Sequence, residues 1–137
     1  MNKKFRSSCP INFSLEIFGD QWSLMIIRDI VFNNKSTYGE FLSSAEGIST
    51  NILAQRLSNL VETGLLTKRK NPNNGRLVEY GLTDKSKALI PLLCEMIIWG
   101  AEHSESSPEL SAWADSIRGN RRQAQKKILS KIESKDA

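Results

Sequence analysis

The chain holds only two cysteines, Cys9 and Cys94, and one histidine, His103, among its 137 residues. Two cysteines are too few for a disulfide scaffold, and their separation fits no zinc ribbon or finger. A metal held by His and Cys would need an acid or an outside ligand as well, so neither a structural metal nor a cofactor is expected. Long apolar runs are also missing: none approaches the ~20 residues that cross a bilayer. Behind the basic start Met1-Asn2-Lys3-Lys4-Phe5-Arg6 there is no apolar signal core. The expectation is therefore a soluble cytoplasmic protein with no membrane partner. No paired acid–base constellation, phosphate loop or nucleophile motif stands out, which argues against an enzyme. His103 reads as a surface or capping residue near a helix end.

What is present suits a globular domain. Hydrophobic residues make up 39% and charged residues 25%, enough for a real core. A net charge of +4 permits nucleic-acid binding without requiring it.

Helix signals punctuate the chain. Pro10 suits a first turn, Ile11, Leu15 and Phe18 give an apolar stripe, and Gly19 ends it. Asp20 can cap a second helix over about Gln21 to Phe32. Thr37-Tyr38-Gly39-Glu40 reads as a capping box opening a short helix with Phe41 and Leu42. Ser49 caps the next helix, which Gly64 closes. Leu65 to Lys70 and Arg76 to Leu82 are strand candidates around the turn Asn71-Pro72-Asn73-Asn74-Gly75. Thr83-Asp84 opens an apolar helix in which Pro91 demands a kink or a later start. Ser107-Pro108-Glu109 starts another, Gly119-Asn120 can break it, and a strongly basic segment follows, its last few residues frayed.

The stretch 48–82 carries the functional signal. On the helix after Ser49, Leu53, Leu57, Leu60 and Val61 form one face. Ser49 and Thr50 sit at its start, and Asn51, Gln55, Arg56 and Asn59 lie on the other side. Asn and Gln can bind adenine bidentately, Arg can do so with guanine, and Thr can meet a thymine methyl or a phosphate. Helix-terminal amides also favour a phosphate. The bland alternative is a solvated face on an ordinary amphipathic helix. The hairpin adds Lys68, Arg69, Lys70 and Arg76, which would attract backbone phosphates. Its bland alternative is a charged edge that blocks strand pairing. A polar-faced helix followed by a cationic ribbon has the layout of a winged helix-turn-helix.

The residues from Cys9 to about Gly100 resemble the HxlR family of bacterial winged helix-turn-helix regulators. The matching text is Cys9-Pro10, GDQWSLMIIRDI at 19–30, YGEF at 38–41, GIST at 47–50, LAQRLSNLVETGLL at 53–66 and RLVEYGLTDKSKAL at 76–89. The sequence departs from the pattern at Gly81, where a side chain is usual, and at Ser86, where glycine is common. The resemblance implies a homodimer whose terminal helices pack across the two-fold axis, and an inverted-repeat operator in double-stranded DNA. It also implies a role for Cys9, since some members use a cysteine near this position to sense oxidants or electrophiles. A helix start follows Cys9, a setting that can activate a thiol. Cys94, among Ile90, Ile97 and Ile98, reads as a core thiol. Inert packing is the alternative for both.

The expected architecture is mostly α with a small β hairpin: a winged helix-turn-helix with additional terminal helices for dimerisation. Residues 1–106 form the DNA-binding domain with its arm and long helix. Residues 107–137 form a helical extension serving the dimer or acting as a basic accessory segment. The helix at 84–103 is apolar on too much of its surface for a lone outer helix. With Leu110, Trp113 and Ile117, and with helix 10–18, it is expected to form the homodimer interface. The three tryptophans, Trp22, Trp99 and Trp113, read as core or dimer contacts. The function expected is sequence-specific transcriptional regulation with a small-molecule or redox effector left unnamed. The rivals are a winged-helix adaptor that binds protein without specific DNA, and a small enzyme.

Overall fold

The computed structural model describes residues 4–136, so the first three residues of the basic N-terminus and Ala137 of the tail lie outside the described residues. The chain divides into two compact units after Thr83. That boundary falls well before the 106/107 division expected from the sequence. The long apolar helix expected to close the first domain packs with the two terminal helices.

The first unit runs α1 (Pro10–Phe18), α2 (Ser23–Asn33), α3 (Tyr38–Leu42), α4 (Thr50–Glu62), β1 (Leu66–Asn71) and β2 (Asn74–Leu82). Its core is built from Ile26, Ile27, Val31, Phe41, Ile48, Leu53, Leu57, Leu60, Leu65 and Leu66, all buried. Gly19 closes α1 because a Cβ there would sit 2.4 Å from the carbonyl oxygen of Leu15. α2 begins at Ser23 rather than Gln21. The Asp20 carboxylate accepts the amides of Trp22 and Ser23, both at 2.9 Å, and so sets the first turn. The capping box at α3 is formed as expected, Thr37 and Glu40 each accepting the other's amide.

α4 ends in a Schellman motif. The amide of Leu65 reaches the carbonyl of Leu60 at 2.8 Å, and that of Gly64 reaches Val61 at 3.1 Å. Gly64 takes a φ of 81°, which a side chain would resist. Leu65 is buried just beyond it and ties the helix end to the core.

β1 and β2 pair antiparallel from Leu66 opposite Leu82 to Lys70 opposite Val78, with an irregularity before Asn71 opposite Asn74. The second strand thus starts earlier than Arg76. The loop is shorter than the sequence suggested because the Asn71 side chain accepts the amides of Asn73 and Asn74, at 2.8 and 3.1 Å. Thr37 adds an isolated bridge to Glu79.

A buried carboxylate fastens the turn of the helix-turn-helix. Asp29 is 2% exposed. It accepts from Arg28 at 2.7 Å, from Asn33 at 2.8 Å and from the Ser44 hydroxyl. Arg28 also spans to Glu46 at 2.7 and 2.9 Å. The Glu46 hydrogen bond is the main reason the guanidinium is held more firmly protonated than usual, ahead of the opposing effect of burial. Segment 43–49, between α3 and α4, is therefore clamped onto α2 by fully satisfied charges.

The second unit comprises α5 (Asp84–Lys87), α6 (Ile90–His103), α7 (Pro108–Gly119) and α8 (Arg121–Asp136). Pro91 resolves as a later start: it occupies the first turn of α6, where a missing amide costs nothing. Ser107 caps α7 by accepting the Leu110 amide at 3.2 Å. Ile90, Leu93, Cys94, Ile98, Ala114, Ile117 and Ile132 are buried. Ile117, expected on the dimer face, therefore belongs to the interior. Leu92, Met96, Trp99, Leu110 and Trp113 remain exposed, as do Ile11, Phe13 and Leu15 on α1. Trp22 is half-buried, whereas Trp99 lies out at the surface beside His103, ring centroids 4.9 Å apart.

Candidate nucleic-acid interface

Burial of Leu53, Leu57 and Leu60, each at most 1% exposed, fixes how α4 is rotated about its axis. Thr50, Asn51, Gln55 and Asn59 are then exposed. Asn51, Gln55 and Asn59 recur every fourth residue and form one outward stripe. Tyr38 in α3 donates its hydroxyl to the Thr50 carbonyl at 2.9 Å, tying the two helices at the end where the stripe begins. Ser49 accepts the Ile52 amide at 3.3 Å, so its hydroxyl serves the helix as a cap.

Arg56 differs from the other expected base readers. It is half-buried, and its Nε donates to Asp20 Oδ2 at 2.8 Å. Its Nη1 donates to Gln55 Oε1 at 3.0 Å. Arg56 thus joins α4 to the start of α2 and orients Gln55, with part of its fork already committed. Asp20 receives the Ser23 hydroxyl at 2.5 Å as well. Partial burial pushes the Asp20 carboxyl upward. The Ser23 hydroxyl, the Trp22 and Ser23 amides and Arg56 outweigh that and hold it below the usual carboxylate range. Sequence reading missed this relay. Asp20 and Arg56 are 36 positions apart, and no local spacing signals their meeting.

On the hairpin, Lys68, Arg69, Lys70 and Arg76 are all exposed, and none forms an ion pair among the described residues. Strand alternation puts Lys68, Lys70 and Arg76 on one face and Arg69 on the other, opposite Glu79. Asn74 accepts the Arg76 amide at 3.2 Å and steadies the tip. Gly81 faces Thr67, and a Cβ there would come within 3.0 Å of its hydroxyl, so the missing side chain relieves a close cross-strand approach.

Cys9 is exposed at the start of α1 and Cys94 is buried. Burial, with Glu95 next to it, pushes the Cys94 thiol up, away from the reactive thiolate. Among the described residues no cluster of His, Cys, Asp and Glu could hold a metal ion, and no helix is long and apolar enough to cross a membrane.

Helices α2, α3 and α4, the last with an outward polar face, and a basic hairpin define a winged helix-turn-helix protein of the DNA-binding, transcription-regulating class. Residues 17–108 match the HxlR-like helix-turn-helix family, and the chain belongs to it. It is 30% identical over 101 residues to the HTH-type transcriptional regulator YdzF of Bacillus subtilis, covering 73% of this chain and 93% of that one. Among solved structures it is similar to the transcription factor candidate PA1607, at 42% identity and a TM-score of 0.67, covering 75% of this chain and 70% of that one. It is also similar to the reduced form of the transcriptional regulator YodB from B. subtilis. There the identity is 27% and the TM-score 0.56, covering 72% of this chain and 97% of that one. YodB is known in a diamide-treated form too.

The Asp20–Arg56 pair should contribute measurably to stability. Asp20→Ala removes a cap and a partly buried anion and should cost about 1–3 kcal/mol in urea unfolding. Asp20→Asn keeps the cap and should cost about 1 kcal/mol. Because the folded carboxyl is depressed, its contribution is present above its unfolded pKa and lost as the pH falls through the folded one. Strict additivity of Asp20→Ala and Arg56→Ala would show that the pair is energetically idle.

Proposed function

We propose that the protein acts as a homodimer on an inverted-repeat operator, with α4 in the major groove and the β1–β2 hairpin against the flanking backbone. The observation that carries this reading is the exposed stripe Asn51, Gln55 and Asn59, rotated outward by three buried leucines and followed by unpaired cations on one hairpin face. Asn51 and Gln55 have the side-chain chemistry for adenine edges, each good pair discriminating by about 1–3 kcal/mol. Arg56 commits Nε to Asp20 and one Nη1 proton to Gln55, so it holds Gln55 in place and has only its remaining donors to offer to DNA. Ser49 and Thr50 meet phosphate at the helix start. Half-sites about one helical turn apart would match the two-fold symmetry. A protein-binding adaptor would need none of the unpaired hairpin cations.

Operator titrations across salt separate base reading from phosphate binding. Asn51→Ala or Gln55→Ala should weaken operator binding by roughly 10–100-fold while leaving unrelated duplex nearly unaffected. Gln at Lys68, Lys70 and Arg76 should weaken both and lower the salt slope by about 0.9 for each phosphate the hairpin no longer neutralises. An unchanged slope would place the phosphate-binding cations elsewhere.

The homodimer rests on apolar surface left in water: Trp99 is 67% exposed, Ile11 71%, Leu15 54% and Leu110 52%. Each unit thus leaves large apolar side chains exposed, and a second copy of the chain is the partner proposed to cover them. Light scattering at micromolar concentration should give a dimer mass. A monomer that binds an inverted repeat tightly would overturn the arrangement.

Cys9 is the candidate trigger. Its support is its exposure at a helix start, against the burial of Cys94, and a relative known in both reduced and diamide-treated forms. Maleimide should label Cys9 well before Cys94, and diamide should alter operator affinity in the unsubstituted protein but not in Cys9→Ser. Equal, slow labelling with diamide-insensitive binding would show that Cys9 is not the trigger.

A further inference from the structure

One element that the winged helix-turn-helix does not use carries an excess of cations over acids as large as the net charge of the whole chain. Residues 121–136 carry six cations and two acids, while the other 121 residues carry thirteen of each. The whole net charge of +4 therefore resides in α8. This helix lies beyond the family match at 17–108, so nothing in that match accounts for it.

α8 is built to present those charges. One side of it is half-buried or buried, through Ala124, Gln125, Ile128, Leu129 and Ile132. Arg121 is clamped to Glu95 of α6, which anchors the first turn. Arg122, Lys126, Lys127 and Lys131 are exposed and form no ion pair among the described residues. Helices of soluble proteins usually temper such a row with acids three or four residues away. α8 has only two acids, Glu133 and Asp136, and neither stands three or four residues from any of its cations. Four uncompensated cations on a docked helix repel one another and gain only when a polyanion is near.

We propose that the outer face of α8 is a second DNA-binding surface, which engages the phosphate backbone of duplex DNA irrespective of sequence. This rests on the DNA-binding reading above. Charge complementarity selects the occupant. The exposed face carries cations interleaved with Gln123, Ser130 and Ser134, side chains that can also hydrogen-bond phosphate oxygens. An acidic membrane is the poorer fit. Interfacial helices insert an apolar face, and the few apolar residues of α8 are already turned inward.

The test is a full-length variant with Gln at Arg122, Lys126, Lys127 and Lys131. All four side chains are exposed, so the thermal unfolding curve should not move, and restoring a cation by placing lysine at Arg122 alone should recover part of any effect. Binding to an operator duplex and to an unrelated duplex would be titrated across salt, beside the hairpin variant. The expected result is a roughly tenfold or greater weakening on both duplexes, with the specificity ratio unchanged. The salt slope should fall by about 0.9 for each phosphate that α8 no longer neutralises. If the hairpin variant loses affinity while the α8 variant binds both duplexes normally with an unaltered slope, this proposal fails and the DNA reading stands. If the unsubstituted protein shows no salt-dependent binding to either duplex, both fail. Retention on phosphatidylserine vesicles that the α8 substitutions abolish, with DNA binding untouched, would assign the helix to membranes and overturn the proposal.

Discussion

The rotation of α4 about its axis is the constraint on which the rest depends. Leu53, Leu57 and Leu60 are sealed in the core, each burial stabilising by about 1.5–3 kcal/mol. Turning the helix to expose them would cost more than any single polar interaction returns. The stripe Asn51, Gln55 and Asn59 therefore faces solvent whatever else happens. The other devices serve that orientation. Asp29 and Arg28 clamp the preceding turn to α2, Tyr38 ties α3 to the first turn of α4, and the Schellman motif at Gly64 aims the chain into the hairpin.

Charge is distributed in keeping with this division of labour. In the first unit cations that face inward are paired: Arg28 with Glu46 and Asp29, Arg56 with Asp20. Among the described residues the hairpin cations have no such partners, and in the second unit the surplus collects on α8. Paired charges fix geometry, while unpaired exposed ones set long-range attraction and its salt dependence. The proposed function draws on both kinds, one to hold the base-facing helix in place and the other to attract phosphates.

Much of this was legible in the sequence because it is local. Capping residues, terminating glycines and the fourfold spacing of leucines act within one or two turns, and the helices begin and end close to where those signals lie. The family resemblance rested on ordered short motifs and is matched by the family over residues 17–108. What stayed hidden is long-range. Arg56 looked like a base reader because its spacing is right, yet its guanidinium is held by Asp20, a partner 36 residues away. Ile117 looked like an outer-face residue, yet it is 2% exposed because the terminal helices pack on one another. The unit boundary at Thr83 rather than at 106 has the same origin: a helix pattern shows which face is apolar, not which neighbour covers it.

The central claim is that α4 reads base edges through Asn51 and Gln55. Selection of bound duplexes from a randomised pool tests it most directly, run in parallel with the unsubstituted protein and Gln55→Ala. The account predicts that the unsubstituted protein enriches an inverted repeat with two half-sites about one helical turn apart. The Gln55→Ala protein should enrich the same repeat with preference lost at one base pair, symmetrically in both halves. Recovery of an identical motif by both proteins, or of no motif by either, would contradict it.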